Sequence, residues 1–265
     1  MDTRFWGPSG WRLLHLITFS YQPANQKESV RELFTMLPFV LPCKFCRASL
    51  AEYMEEDPIE RALKSRELLS KWLWRIHNKV NEKLRGQGLL KEDDPSFTSV
   101  KKVYEDRISA GCIKTEFEGW DFLFSIAENH PRTASVKNSL PMPNVPSVLT
   151  DSPEFRNRWN LMEAEERMEF YLRFWKSIGG ALPFLPWRKA WSQCSLDFSK
   201  TESRVSWIRE LWRIRCCMEK ELELVNRDEF QSLCKRLVNH RSGCGKRKRA
   251  KTCRKGKTQR YTRKV

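Results

Sequence analysis

The chain has 265 residues, of which 40% are hydrophobic and 31% charged. This length predicts one or two domains, and the apolar content excludes a wholly disordered or collagen-like chain. The formal net charge is +16, but residues 241–265 hold twelve of the 49 Lys and Arg and none of the 33 Asp and Glu. We therefore expect a soluble globular body followed by a separate basic tail suited to polyanions.

The cysteine content and the N-terminus indicate the compartment. Nine cysteines is an odd number, and the first residues lack the charged and then apolar pattern of a signal peptide. The longest apolar stretch, Leu33 to Leu41, contains Pro38 and is too short to span a bilayer. We expect a cytoplasmic protein that has no transmembrane segment and is not secreted. In a reducing compartment a close cysteine pair is more often catalytic or metal-binding than structural.

Helical periodicity dominates the first part of the chain and predicts an all-α protein. Residues 1–109 are predicted to form one compact unit of five helices. These helices cover Ser9 to about Tyr21, about 26–39, Cys43 to about Glu55, Pro58 to Gly86, and about 99–108.

The second part of the chain is predicted to be a smaller helical domain of unknown role, 154–240. Residues 110–153 are expected to be a connection, because 128–153 is rich in Pro, Ser and Thr. Helices are predicted over 154–178, about 200–223 and 227–240, separated by breaks at Gly179-Gly180 and at Pro183 and Pro186. Residues 241–265 are expected to be disordered.

A C-x-x-C pair, Cys43 and Cys46, lies at the predicted start of the third helix. A helix N-terminus lowers the pKa of a thiol, and the positive charges of Lys44 and Arg47 act in the same direction. Such a pair can cycle between dithiol and disulfide. Half of a zinc site has the same spacing, but no second ligand pair lies within sixty residues apart from His15 and His77. The helical flanks do not match a thioredoxin fold.

Two further helical faces offer aromatic and polar side chains. Trp74, His77, Asn78 and Asn81 fall at three-and-four spacing on the fourth helix. Asn is a poor helix former, so two in this stretch indicate a partner for their amides, such as a flat ligand with polar edges.

The first helix offers Trp11 and His15 one turn apart, with Tyr21 just beyond. Each of these residues alone is more often a core side chain than a ligand. Their combination with the face on the fourth helix and the C-x-x-C pair predicts one pocket that holds an aromatic cofactor against a redox dithiol.

Four motifs in order resemble the Erv/ALR family of FAD-linked sulfhydryl oxidases over about Phe5 to Arg107. They are W-x-x-L-H (Trp11, Leu14, His15), then Tyr21, then P-C-x-x-C (Pro42, Cys43, Cys46), then H-N-x-V-N-x-x-L (His77, Asn78, Val80, Asn81, Leu84). The resemblance implies a four-helix bundle with a short fifth helix and FAD set beside the cysteine pair. It also implies oxidation of protein dithiols, with electrons passing through FAD to O2 to give hydrogen peroxide, and it is compatible with a homodimer.

The resemblance implies a role for individual residues. Cys46 would be the thiolate next to the flavin, and Cys43 the sulfur that meets the substrate. The residues implied to bind the cofactor are Gly7, Trp11, His15, Tyr21, Trp74, His77, Asn78, Val80, Asn81, Leu84 and Arg85.

The chain departs from the family pattern at three places. Gly7-Pro8 stands where many members have Gly-Arg, and Arg85-Gly86 stands in place of Gly-Lys, so Arg85 would replace the lysine that faces the phosphates. Trp74 stands in place of a cysteine, which removes the usual structural disulfide. The lack of an N-terminal targeting segment and the C-terminal extension are similar to members carried by large cytoplasmic DNA viruses, which make disulfides for virion proteins.

The remaining cysteines and the tail leave several alternatives open. Cys216 with Cys217, Cys234, or Cys244 with Cys253 are candidates for a shuttle pair, and all five are otherwise expected to be ordinary thiols. A zinc site that includes His240 is a further alternative with no common spacing. The basic run 246–251 is compatible with a nuclear-localisation or nonspecific nucleic-acid patch, a solvated tail, or an element that binds acidic virion proteins. The competing function is a catalytically silent scaffold or nucleic-acid-binding virion protein.

Overall fold

The computed structural model describes residues 1–112, 116–133, 152–159, 161–224 and 228–241. All secondary-structure elements in these ranges are helices, so the predicted all-α class is confirmed. None of the helices in the described ranges is long and apolar enough to cross a membrane. The predictions for Cys244, Cys253 and nearly all of the basic tail lie outside the described residues.

The first five α-helices follow the predicted order with shifted ends. They are α1 (Thr3–Ser20), α2 (Pro23–Val40), α3 (Lys44–Glu56), α4 (Arg66–Arg85) and α5 (Phe97–Ser109). Helix α1 begins before Ser9 because the Asp2 carboxylate caps it by accepting a hydrogen bond from the Arg4 N–H. The predicted fourth helix is divided into a 3-10 segment, Ile59–Lys64, and α4, which restarts where the Ser65 hydroxyl accepts from the Leu68 N–H.

The helices of the first part pack around one another. Helix α1 contacts α4 and α5, α2 contacts α3, and α3 contacts α4. The cysteine pair thereby lies at the start of a helix that borders the space between α1 and α4.

Part of the predicted connection is a buried helix, α6 (Trp120–Glu128). It packs against α1, and the N–H of Phe122 donates to the Ser9 hydroxyl over 3.3 Å. The helix is only 9 residues long, and all of its residues except Asp121 are buried. So short a segment offers few turns over which a sequence could reveal a helical period.

The C-terminal part contains α7 (Pro153–Arg158), α8 (Ala164–Ala181), α9 (Leu185–Cys194), α10 (Arg204–Glu221) and α11 (Phe230–Arg241). The predicted break at Gly179-Gly180 is wrong, because both glycines lie inside α8. A Cβ atom on Gly180 would collide with Ser29 of α2, and one on Gly179 with Trp191 of α9. The glycines therefore permit close helix packing here.

The two parts of the chain share one hydrophobic core. Helix α2 packs along α8, where the rings of Phe39 and Phe170 stack with their centroids 3.9 Å apart. The Gln26 side-chain amide donates to the Leu182 carbonyl over 3.2 Å. The predicted division into 1–109, 110–153 and 154–240 stays a prediction about the organisation of the chain.

A disulfide joins Cys194 at the end of α9 to Cys217 in α10. Cys217 is therefore not an unpaired thiol, and it is bonded to a cysteine that the sequence analysis did not single out. Cys216 and Cys234 are free thiols in the structure.

Candidate active site

The cysteine pair caps α3. Cys43 is the N-cap residue, and its carbonyl accepts hydrogen bonds from the N–H groups of Cys46 and Arg47, both 3.0 Å long. Both cysteines are half-buried. Because the first amides of a helix are positive, this position stabilises a thiolate.

A cavity of about 1020 Å³ opens beside Cys46, between α1, α3 and α4. It is at the upper end of the size range of cofactor and ligand sites. Its apolar wall includes Phe34, Leu37 and Trp72. Seven residues that the sequence analysis predicted as catalytic or cofactor-binding line it: Gly7, Trp11, Cys46, His77, Val80, Asn81 and Leu84.

An aromatic stack forms one side of this cavity. The ring of Trp11 lies on that of His77, with centroids 3.8 Å apart and an interplanar angle of 11°. Behind it, His15 Nε2 and His77 Nδ1 are hydrogen-bonded over 3.0 Å, and Tyr104 stacks on His15. Two residues predicted to share a pocket from distant helices are thus in contact.

The two histidines are uncharged at neutral pH. Burial, and then the neighbouring His77, lowers the pKa of His15 to about 3. Burial also lowers the pKa of His77 to about 4, although the charge of Asp94 acts in the opposite direction. The stack therefore presents a flat, neutral surface suited to an aromatic ring system.

Asp94 accepts hydrogen bonds from two side chains near the end of α4. It accepts from Asn81 Nδ2 over 2.8 Å, and from Arg85 Nη1 and Nη2 over 3.0 and 2.6 Å. The hydrogen bond from Arg85 holds the pKa of Asp94 below its usual value. The described lining of the cavity does not include Arg85, so its predicted place at the phosphates of a cofactor stays a prediction.

Other cations line the cavity instead: Arg4, Arg12 and Lys83. Lys83 Nζ donates to the Ser49 hydroxyl over 2.9 Å, which holds the ammonium group between α4 and α3. The sequence analysis did not single out these three residues. The signal was present for Lys83, which lies three residues after Val80 on the same helical face.

Several predicted site residues lie outside the described lining of the cavity. The Tyr21 hydroxyl donates to the Leu63 carbonyl over 3.0 Å, and Trp74 Nε1 donates to the Pro95 carbonyl over 3.0 Å. His15 lies behind His77, and Asn78 and Cys43 are half-buried beside the cavity-lining residues of their own helices. The roles that the sequence analysis gives these residues stay predictions.

The chemistry of the lining fits a large planar cofactor with anionic groups. Trp6 lines the cavity as well, and its Nε1 is a buried donor with no hydrogen-bond partner among the described residues. The aromatic stack and the apolar wall suit ring systems, and the three cations suit phosphates.

The fold and the site define a helical protein with a large, partly aromatic cavity beside a C-x-x-C pair. Residues 8–104, which span nearly all of α1 to α5, match the model of the Erv1 / Alr family. This part of the chain is therefore an Erv1/Alr domain.

Curated proteins are similar to the chain over 81–87 residues. The chain is 36% identical over 87 residues to the mitochondrial FAD-linked sulfhydryl oxidase ERV1 of Saccharomyces cerevisiae, covering 32% of this chain and 45% of that protein. It is 36% identical over 86 residues to the probable FAD-linked sulfhydryl oxidase R368 of Acanthamoeba polyphaga mimivirus, covering 31% and 59%. The putative FAD-linked sulfhydryl oxidase 096R of Invertebrate iridescent virus 3 is 25% identical over 87 residues, covering 32% and 59%.

The chain thus spans between 45% and 59% of the length of these relatives. No solved structure matches the chain at a significant level.

Proposed function

We propose that the protein is an FAD-linked sulfhydryl oxidase that introduces disulfide bonds into protein substrates. The observation that carries the proposal is the position of Cys46, which belongs to a helix-capping C-x-x-C pair and lines the cavity bounded by Trp11, His77 and Asn81. The names of the relatives that share this domain support the same activity.

Two groups of cavity residues would bind different parts of FAD. Trp11, His77 and Asn81 would hold its ring systems, and Arg12 and Lys83 would neutralise its phosphates. When bound, FAD supplies the two-electron acceptor that restores the disulfide of the reduced cysteine pair.

The cysteine pair itself performs the exchange with the substrate. A substrate thiolate attacks Sγ of Cys43, the Cys43–Cys46 bond breaks, and Cys46 leaves as a thiolate that the α3 amides stabilise. A second substrate thiolate then attacks the mixed disulfide and releases Cys43. Two electrons have passed from the substrate to the pair, and the substrate has gained one disulfide.

We further propose that O2 is the final electron acceptor and that hydrogen peroxide is the product. Two of the relatives named above are viral, which supports a viral source, virion proteins as substrates, and a site of action in the host cytoplasm or the virion. A homodimer and nonspecific polyanion binding by 241–265 belong to the same proposal.

The absorption spectrum of the purified full-length protein tests the cofactor, and oxygen consumption with dithiothreitol tests the activity. We expect a yellow protein that consumes O2, and we expect Cys43→Ser and Cys46→Ser each to abolish turnover. Cys43→Ser leaves the Cys46 thiolate beside the flavin and should show a long-wavelength charge-transfer band, which Cys46→Ser should lack. Cys112→Ser, a half-buried thiol outside the pair, is the matched control. A colourless protein that binds DNA and consumes no O2 would support the scaffold function.

A further inference from the structure

The start of α1, residues 2–7, forms one wall of the cavity beside the cysteine pair. Five of its residues line the cavity: Asp2, Thr3, Arg4, Trp6 and Gly7. They precede the range that matches the Erv1/Alr family, 8–104. The first turn of a helix lacks partners for several amides and opens more easily than the middle of the helix. This wall therefore needs contacts from other elements to stay in place.

The last turn of α11 makes two contacts with the start of α1. The Asp2 N–H donates to the His240 carbonyl over 2.9 Å. The ring of His240 stacks on that of Phe5, with centroids 4.4 Å apart and an interplanar angle of 5°. The negative end of α11 thus meets the positive end of α1, which the dipoles of both helices favour.

The same contacts reach a cation at the cavity. The Asp2 carboxylate caps α1 and also accepts from Arg4 Nη2 over 2.9 Å. Arg4 lines the cavity, so a shift of Asp2 would move this side chain as well. His240 is therefore linked to the cavity wall through printed contacts with Asp2 and Phe5.

Helix α11 is anchored on the rest of the protein by other side chains. Leu233 and Leu237 are buried in the common core. Arg241 pairs with the carboxylate of Glu128 at the end of α6, which Arg204 of α10 also binds. The position of His240 is thus set by the contacts of α11 with α6 and α10.

Helix α6 contacts the same wall. Phe122 lines the cavity, and its ring lies 5.9 Å from that of Trp6. A Cβ atom on Gly10 would lie 2.9 Å from the Phe122 ring, so α1 and α6 are closely packed here. Both α6 and α11 lie outside the family match. The start of α1 is therefore in contact with two helices that follow the family domain, and α11 is the one that contacts Asp2 and Phe5.

An enclosed ligand leaves when a wall of its cavity opens, so its release slows as local opening becomes more costly. We propose that α11 keeps the start of α1 in place as a wall of the cofactor cavity and so slows the release of FAD, with His240 as the positioning residue. The proposal rests on the proposed function, because it takes FAD as the occupant of the cavity. It gives a helix outside the family match a role in retaining the cofactor.

The rate at which FAD leaves the diluted full-length protein, followed by flavin fluorescence, tests this role. We expect His240→Ala to speed the release about fivefold, the effect of losing one stacked ring pair. His240→Phe keeps a flat ring against Phe5 and should restore most of the slow release. Val238→Ala shortens an exposed side chain of the same helix and should leave the rate unchanged.

Hydrogen exchange followed by mass spectrometry separates this role from a general effect on stability. In His240→Ala, peptides that cover residues 2–7 should exchange faster, whereas peptides of α8 should exchange as in the unaltered protein. Faster exchange in both regions would overturn the proposal, because His240 would then merely stabilise the fold. Unchanged FAD release from His240→Ala, or release from His240→Phe that is equally fast, would overturn it as well.

If His240→Ala does not fold, Phe5→Leu removes the other ring of the same stack and takes its place, with the same expected results. A full-length protein that binds no FAD would contradict the proposed function and, with it, the role in retaining FAD. A flavin-bound protein whose variants release FAD at the unaltered rate would contradict the role of α11 alone.

Discussion

Acid should destabilise the protein through the buried pair of His15 and His77. Folding lowers the pKa of His15 from 6.5 to about 3 and that of His77 from 6.5 to about 4. Below pH 6.5 the unfolded chain therefore binds protons that the native state does not, and the free energy of unfolding falls as the pH falls. Between pH 7 and pH 5 the free energy of unfolding should fall by about 2 kcal/mol for each histidine and by roughly 4 kcal/mol for the pair. This is a large part of the stability of a typical domain.

Urea denaturation at pH 7, 6 and 5 measures this loss. His77→Gln should remove about half of the pH dependence due to the pair and should also lower flavin content, because His77 lines the cavity. His130→Gln is the matched control, because burial also lowers the pKa of His130. This residue is hydrogen-bonded to the Thr201 carbonyl and does not belong to the described lining of the cavity. It should reduce the pH dependence and leave the flavin spectrum unchanged. A slope that is the same in His77→Gln and the unaltered protein would refute the reasoning.

Two further predictions concern the C-terminal part. Cys194→Ser opens a loop closed over a sequence separation of 23 residues and should lower the free energy of unfolding by about 3 kcal/mol, measured by urea denaturation against Cys216→Ser, which removes a free thiol. Asn157→Ala leaves the Pro38 carbonyl without its donor and should cost about 1–3 kcal/mol in the same assay. An unchanged midpoint in either variant contradicts the corresponding contact.

Much of the candidate site could be predicted from the spacing of residues along single helices. The N-cap position of Cys43 follows from the proline turn before it, and the spacing of Trp11 and of His77 on their helices predicts that both face the same interior. The structure places these two rings in contact. The spacing after Val80 could have indicated Lys83 as a cavity-lining cation, but the pairing of Arg85 could not be predicted, because it depends on Asp94, a loop residue.

Features set by long-range packing were missed for a physical reason. Gly179-Gly180 has the composition of a helix break, and only the closeness of Ser29 and Trp191 shows why glycine is needed inside a helix. The disulfide partner of Cys217 could not be predicted from the sequence either, because the pairing depends on the position of α9 against α10.

The turn before the cysteine pair links the two parts of the chain. In a helix the Pro38 carbonyl would accept a hydrogen bond from residue 42, but Pro42 has no N–H group to give. Asn157 supplies the missing donor, and Arg47 does the same for the Leu41 carbonyl. A buried carbonyl left unpaired would cost free energy and loosen the turn that sets the position of Cys43. Pro42, which follows the end of α2, therefore leaves a carbonyl that requires a donor from elsewhere, and the C-terminal part provides it.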